Sequence, residues 1–484
     1  MKGPLRESKS GKGPLADINQ SHRLSTRDTQ SREGPLQGTQ VPQGTRCNGL
    51  RLVDRNLHVL AEFQRDAAHG RHGYPEASMF DQPELEALLR AGLTRHPAVT
   101  MRGGVEVASL APEAGGVRVA FTDSAGRPDS VLAQYVFGCD GANSLTRTAV
   151  GAVMRDLGFT QRWLVVDLRT DAELGVWEGV YQVSDPARAA TYMRIGQNRY
   201  RWEFQLAEGE TADDYRAAAA LLPLIKPWTG DVLADDFEIV RVAEYTFRAQ
   251  VADRWRDRRV FLLGDAAHLT PPFIGQGMGA GMRDAMNLAW KLAGVLDGTL
   301  SETVLDSYET ERKPHATAMI RLAKLMGAAM TEGGEFGGLL RRVAAPRLHL
   351  VPGLRRRVLA TETPALRRSA LVARPRLRRS LAGRQCPNAP VDGRRRLDEV
   401  TAGRFAVICA AEPSPAQRAD IEKRGAVLVV ARPRSPLYRW LRRGFAYAAV
   451  IRPDATVHSA GRDLDALCAA IPPYRTREYP ANLG

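Results

Sequence analysis

A chain of 484 residues, 44% of them apolar, is too long for one core and rich enough in apolar side chains for two or three domains. Its net charge of +14 would point to nucleic acid or an anionic membrane if the basic residues were clustered. Clusters occur only at Arg355–Arg357, Arg367, Arg368, Arg374, Arg376, Arg378, Arg379 and Arg394–Arg396, where aromatic residues for base stacking are missing, so a solvated Arg-rich surface is expected rather than a nucleic-acid site.

Five scattered cysteines (Cys47, Cys139, Cys386, Cys409, Cys468) show no CxxC and no metal spacing, which suits free thiols in a reducing compartment. No apolar run approaches the roughly 18 residues of a membrane helix, and the first residues lack a signal-peptide core. The expectation is a cytoplasmic protein with no metal, no nucleic acid and no membrane contact, and with a homodimer as a candidate assembly.

Residues 1–46 are rich in Gly, Ser, Gln, Arg and Thr and have neither strand nor helix periodicity, so residues 1–49 are read as disordered or non-native. Gly-Pro-Leu recurs at Gly3, Gly13 and Gly34 without a fixed period. From Leu50 the pattern is folded. Leu57–Phe63 reads as a strand, Gln82–Leu93 as a helix opened by Asp81, Val105–Leu110 with Gly116–Thr122 as a hairpin, and Tyr135–Gly138 as a short buried strand.

Residues 161–255 are strand-rich (Leu164–Leu168, Tyr200–Leu206, Ile239–Phe247) and read as a sheet inserted into an α/β domain that spans 50–160 and 256–335. Val260–Leu263 is a buried strand. The helix after the following glycine cluster has Met282, Ala285, Met286, Ala289, Leu292, Ala293 and Leu296 on its apolar face, with Arg283, Asn287 and Lys291 opposite. A second helix spans Glu302–Met330, kinked or broken at Pro314. Residues 336–400 are an irregular Arg- and Pro-rich bridge. Residues 401–484 form a compact α/β unit of strands Phe405–Ala410, Val427–Ala431, Ala446–Arg452 and Thr456–Ser459 with helices Pro415–Arg424, Leu437–Arg443 and Asp463–Ile471.

Two motifs carry chemistry. In Gly264-Asp265-Ala266-Ala267-His268, followed by Pro271-Pro272 and Gly275-Gln276-Gly277, Gly279 and Gly281, a buried strand delivers Asp265 at its C-terminal end, where open α/β sheets bind ligands. A carboxylate there accepts hydrogen bonds from a sugar or ribityl chain. The glycines admit a flat ring, and the helix behind them aims free N–H groups and a positive dipole forward. His268 is assigned a structural hydrogen-bonding role. In the second motif, Tyr135 through Arg147, Asp140-Gly141 alone is an ordinary turn, but with the first motif about 120 residues on it gains weight as part of one site. Cys139 reads as a small buried side chain rather than a nucleophile.

These motifs are similar to the DG and GD motifs of the class A flavoprotein monooxygenases, single-component aromatic hydroxylases. The Tyr200-Arg201-Trp202-Glu203-Phe204 strand and the Asn287-Leu288-Ala289-Trp290-Lys291-Leu292 helix most resemble the 3-(3-hydroxyphenyl)propionate hydroxylase branch and related polyketide hydroxylases. The resemblance implies an α/β (α+β) fold with a Rossmann-like FAD domain, an inserted substrate-binding sheet and a C-terminal thioredoxin-like domain without a redox CxxC. It implies FAD and NAD(P)H as cofactors, a small phenolic substrate and O2, and hydroxylation through a flavin C4a-hydroperoxide. Gly264 and Asp265 would bind the ribityl chain. Pro272, Gly275, Gln276, Gly277 and Gly279 would flank the isoalloxazine, and Asp140, Gly141 and Arg147 would serve flavin and nicotinamide contacts.

The departure lies at the front of the chain. The family begins with a strand, a GxGxxG turn and a helix, whereas Gly11-Lys12-Gly13-Pro14-Leu15-Ala16 follows no strand and precedes no amphipathic helix. The FAD domain is therefore expected to be incomplete, as in a 5′-truncated or frame-shifted coding region, with weak FAD binding. Its missing first strand would leave an open edge beside the strand ending at Asp265. A truncated, non-catalytic remnant is the alternative. The terminal domain is expected to supply packing without thiol chemistry, so Cys409→Ser should leave turnover of an active preparation unchanged; a large loss in a steady-state assay would overturn that expectation.

Overall fold

The computed structural model describes residues 47–474, apart from 67–69, 71, 186, 231, 233, 332–362, 376–379 and 394. The disorder expected of 1–46 and much of the 336–400 bridge lie outside the described residues. Folded structure starts slightly earlier than the pattern suggests, because Cys47 is buried and β1 (Gly49–Val53) begins at Gly49.

Alternation of side chains along strands builds the largest layer. In β10 (Arg199–Gln205), Tyr200, Trp202 and Phe204 are buried on one face, where they meet Leu164, Val166 and Leu168 of β7 (Met154–Arg169). β8 (Val180–Val183) and β9 (Ala190–Arg194) add Tyr181 and Tyr192 to that core. A helix, α3 (Ala218–Thr229), closes it with Leu221, Ile225 and Trp228; its internal Pro223 and Pro227 hide it from a periodicity search. The sheet is not confined to 161–255. β1 pairs parallel with β8, Leu50 opposite Val180, and carries β2 (Val59–Gln64) with it. The reason is topological: backbone pairing recruits strands from distant sequence, which no local pattern records. β11 (Glu238–Ala252) runs antiparallel to nearly all of β7, and its far end pairs with β14 (His268–Leu269), Val251 opposite His268. The eight-stranded sheet thus reaches the first chemical motif.

The two motif strands are neighbours. β6 (Val136–Gly138) lies parallel to β13 (Val260–Leu262), Val136 opposite Val260 and Gly138 opposite Leu262. β13 also has β12 (Arg256–Asp257) on its other side, so among the described residues it is the central strand; the outer strands are β12 and β6, where Phe137 is exposed, and the open edge does not lie at the strand ending at Asp265 as expected. The predicted hairpin gains a third strand, giving a meander of β3 (Glu106–Glu113), β4 (Gly116–Thr122) and β5 (Pro128–Ala133). Helix α1 (Gln82–Leu93) precedes it, and α2 (Leu145–Ala149) follows β6.

An amphipathic helix ordinarily turns its apolar stripe inward. α4 (Gly277–Leu296) does so only in part: of the expected apolar face only Leu292 is buried, while Met282, Ala285, Met286, Ala289, Ala293 and Leu296 are exposed, Met286 by 53%; Asp284, Asn287 and Lys291 are buried alongside Ala280, Leu288, Trp290 and Leu292. Its neighbour is α5 (Ser307–Thr331), which runs unbroken through Pro314 after a 3-10 turn at Glu302–Asp306. Between the helices sits Glu311, fully buried, accepting hydrogen bonds from Asn287 (2.7 Å), Lys291 (3.0 Å), Ser369 (2.6 Å) and Arg452 (2.9 Å). Arg452 is itself fully buried and pairs with Asp454. Burial works to raise the Glu311 carboxyl, but the Arg452 and Lys291 charges outweigh it and push it down to about 2. Lys291 goes down to about 8 because burial outweighs the Glu311 charge.

Arg452 belongs to the terminal unit, so this network joins that unit to α4 and α5. Its sheet has the order β16-β15-β17-β18, with β15 (Ala406–Cys409) parallel to β16 (Val427–Val430) and antiparallel to β17 (Ala448–Ile451), which pairs antiparallel with β18 (Val457–Gly461). The unit begins before 401. Leu381, Cys386 and Ala389 pack into its core, and Gly383 N–H donates to the Val457 carbonyl, because these bridge residues cover an apolar face that the strands leave open. Cys409 is buried, and desolvation pushes its thiol up to about 12.

Lys291→Ala would leave buried Glu311 and Asp454 with Arg452 as their one remaining cation among the described residues and should cost about 3–5 kcal/mol, against roughly 0.5 kcal/mol or less for Met286→Gln on the exposed face, measured by denaturant unfolding. Since the folded pKa of Glu311 is depressed, its contribution is complete above about 4.5 and should be lost as pH falls toward about 2.

Candidate active site

β13 delivers its motif as a 3-10 turn, Gly264–Ala266. Gly264 takes φ +57°, a left-handed conformation that favours glycine, and a Cβ on Gly281 would stand 3.3 Å from its Cα. The turn and α4 therefore touch backbone to backbone. Asp265 projects outward, exposed, with no hydrogen bond to any described residue. Crowding by protein atoms still raises its carboxyl, opposed by the nearby His268 charge.

The next residues prepare the helix. Pro272–Ile274 form a second 3-10 turn pinned by Phe273, whose ring packs 5.9 Å from Trp163 and 5.6 Å from Phe159 and would meet any Cβ on Gly327 at 2.3 Å. Gly275 is left-handed at φ +61°, and open space surrounds the Cβ positions of Gly275 and Gly277. Gln276 is the N-cap residue of α4 but supplies no side-chain cap; its Oε1 accepts instead from Arg283 Nη2 at 2.8 Å. The first N–H groups of a 20-residue helix, at Gly277 to Gly279, thus face forward beside Asp265 without a capping side chain.

Asp284 holds the turn in place. Buried on α4, it accepts from Gly264 N–H (3.1 Å) and Arg312 Nε (2.8 Å), and its Oδ2 lies 2.8 Å from His268 Nε2. Burial would raise its carboxyl; the His268 hydrogen bond and the Arg312 charge outweigh that and lower it. His268 stacks on Trp255 at 5.2 Å and is buried. Beside it, burial with the Arg312 and Arg283 charges pushes His315 down to about 3. Sequence reasoning missed Asp284, Arg312 and His315. The available signal was an acidic residue on the polar side of α4, one turn before Asn287.

The second motif is brought alongside, but its polar side chains are taken up by hydrogen bonds within the protein. Asp140 accepts from Ser144 Oγ (2.6 Å) and Thr146 N–H (2.8 Å), and Ser144 caps α2 through Arg147 N–H. Desolvation works to raise the Asp140 carboxyl, and those hydrogen bonds lower it further than burial raises it. Arg147 donates to the Ala142 carbonyl (2.7 Å) and, across 119 residues, to the Ala266 carbonyl (3.1 Å), so it ties the two motifs together. Gly141 is left-handed at φ +75°. Cys139 is exposed, not buried as expected, because it stands just past the end of the edge strand β6. Burial of its thiol region and the Asp140 and Asp284 charges raise its pKa, which disfavours the thiolate.

The profile of the FAD binding domain family matches residues 25–323, which is more than half of the chain. The chain belongs to the family of FAD-dependent aromatic hydroxylases. The match begins inside the segment read from sequence as lying outside the family. Among relatives, the chain is 37% identical over 300 residues to a probable NADH-specific resorcinol 4-hydroxylase of Rhodococcus jostii (strain RHA1), covering 62% of this chain and 55% of that protein. It is 36% identical over 423 residues to a 3-(3-hydroxy-phenyl)propionate/3-hydroxycinnamic acid hydroxylase of Mycobacterium sp. (strain KMS), covering 80% of this chain and 69% of that protein. In fold it is similar to aklavinone-11 hydroxylase in complex with FAD and aklavinone, with TM-score 0.71 at 23% identity over 90% of this chain and 87% of that one. A second structural relative, the OxyS anhydrotetracycline hydroxylase from Streptomyces rimosus, has TM-score 0.66 at 26% identity over 86% and 82% of the two chains.

The residues around Asp265 fit a flavin of this family: an exposed carboxylate with no hydrogen-bond partner among the described residues, a helix N-terminus without a side-chain cap and open glycines stand together. Asp265→Ala should weaken FAD binding about ten- to a hundredfold, because a charge-assisted hydrogen bond is worth roughly 1.5–3 kcal/mol. His268→Gln keeps a donor for Asp284 and should cost less than about tenfold. Fluorescence titration of flavin decides it, and equal losses would show the two roles to be misassigned.

Proposed function

We propose that this chain hydroxylates a small phenolic compound with FAD, a reduced nicotinamide nucleotide and O2. The carrying observation is the exposed Asp265 carboxylate, which makes no hydrogen bond to any described residue, beside the N-terminus of α4, which has no side-chain cap. Bound FAD supplies the transfer of electrons from the nicotinamide and the activation of O2.

The protein's part is to bind and orient. Asp265 and the Gly264 backbone hold the ribityl chain, while Pro272, Gly275, Gln276, Gly277 and Gly279 flank the isoalloxazine. The α4 dipole stabilises negative charge arising on the ring. Asp140, Gly141 and Arg147 act one step back, by fixing the turn after β6 and tying it to Ala266. The substrate sits against the sheet face that Phe273 packs on. NADH is the nucleotide named for the resorcinol relative, and both named relatives act on phenols. The terminal unit is read as thioredoxin-like, contributing packing through Arg452. Five free cysteines suit a cytoplasmic setting.

The test is a FAD titration of the purified chain, followed by NADH and NADPH oxidation with resorcinol or 3-(3-hydroxyphenyl)propionate and chromatography of the products. Saturable FAD uptake and a hydroxylated product are expected. A colourless protein that takes up no added FAD would instead mark a non-catalytic remnant.

A further inference from the structure

Strand β10 has a second face. With Tyr200, Trp202 and Phe204 in the aromatic core, Arg201, Glu203 and Gln205 stand on the opposite side of the sheet. Asp167 of β7 is on that side, because Arg201 grips it with two hydrogen bonds of 2.7 and 3.0 Å. Trp163, two pairs along β7, is on the same side; it faces Gln205 across the strands and packs on Phe273. Phe273 belongs to the turn that opens α4. The face of the sheet that bears Glu203 is therefore the face turned toward the flavin-flanking segment.

Neighbours of Glu203 satisfy one another. Arg201 is taken by Asp167, and Thr191 of β9 donates to Gln182 at 3.0 Å. Glu203 is only 9% exposed, yet it makes no hydrogen bond to any described residue. Opposite it stand Val165 on β7 and Thr191 on β9; the charged groups that act on it are Arg201 and Asp167. A buried carboxyl without a partner destabilises a fold, and it persists where a ligand supplies the partner.

We propose that Glu203 is the acid–base residue that meets the hydroxyl of the phenolic substrate. This rests on the function proposed above and adds the group that activates the ring. The substrate O–H bond breaks, the proton forms an O–H bond on the Glu203 carboxylate, and the electron pair stays on the phenolate oxygen, which enriches the ring for attack. The proton returns to the oxygen once product has formed. Burial pushes the Glu203 carboxyl up to about 7, with Arg201 opposing and Asp167 reinforcing, so both protonation states are accessible near neutral pH. A substrate carboxylate would be repelled at this position, so the site selects a neutral hydroxyl here and leaves any acidic tail to be bound elsewhere.

The experiment compares the FAD-loaded chain with Glu203→Gln and Glu203→Asp, using resorcinol as probe. Two readouts are followed across about pH 5 to 9: steady-state kcat and KM, and the ultraviolet difference spectrum of bound phenol against phenolate, which needs no turnover. In the unaltered chain kcat/KM should rise through a pH near 7 as Glu203 ionises. Glu203→Gln should lose that step and lower kcat about a hundredfold or more with KM changed less than about threefold, and Glu203→Asp should recover part of both. Thermal unfolding checks the fold and adds a readout without substrate. A raised carboxyl stabilises the folded state least above its folded pKa, so stability should decline from about pH 4.5 to about 7 and Glu203→Gln should lack that decline. An unchanged pH profile and kcat in a folded Glu203→Gln would overturn the assignment. Absence of FAD uptake by the unaltered chain would overturn the flavin reading instead, and the difference spectrum would still test Glu203.

Discussion

Glu311 is the charge on which the arrangement of α4 depends. A carboxylate removed from water is tolerable only if cations and donors surround it, and here Lys291, Arg452, Asn287 and Ser369 come from one neighbouring helix, the terminal unit and the segment before it. That requirement sets the rotation of α4 about its axis. It brings Asn287 and Lys291 inward beside Leu288, Trp290 and Leu292, and leaves Met282 and Met286 facing out.

The same rotation aims Asp284, one turn earlier, at the turn that carries Asp265. Arg312, the residue after Glu311 on α5, holds Asp284 from the other side. Two adjacent residues of α5 therefore connect the terminal unit to the candidate flavin site: Glu311 through Arg452, and Arg312 through Asp284 and the Gly264 N–H. The helix N-terminus beside Asp265 is consequently placed by buried ion pairs at least as much as by the glycine turn in front of it.

The sheet reaches the site by a second route. β11 leads from its pairing with β7 to β14, and Phe273 locks the turn before α4 onto Trp163. The aromatic core on one side of the sheet makes its strands rigid, and the polar row on the other side, with Arg201, Asp167 and Glu203, is presented to the same region as the helix dipole. The proposed flavin-binding and acid–base residues thus stand on separate layers joined by Phe273 and the pairing of β11 with β14.

Much of this was legible in the residues. Helix Gln82–Leu93, strand Gly116–Thr122 and every strand of the terminal sheet follow from periodicity and turn residues within a residue or two, because those signals are local. The pairing of Asp265 with a glycine-rich helix start could be read because strand, turn and helix are contiguous. What the sequence could not determine was which side of α4 faces inward, since a helical period defines two faces without saying where the neighbours stand. It could not place β1 and β2 in the large sheet or β6 at an edge, since strand pairing joins residues far apart in the chain. Nor could it show that Asp140 and Arg147 bond to groups around them while Glu203 has no hydrogen-bond partner among the described residues. Those outcomes are decided only when distant charges and strands are brought together, because the energy of a buried polar group depends on what the fold places within hydrogen-bond reach.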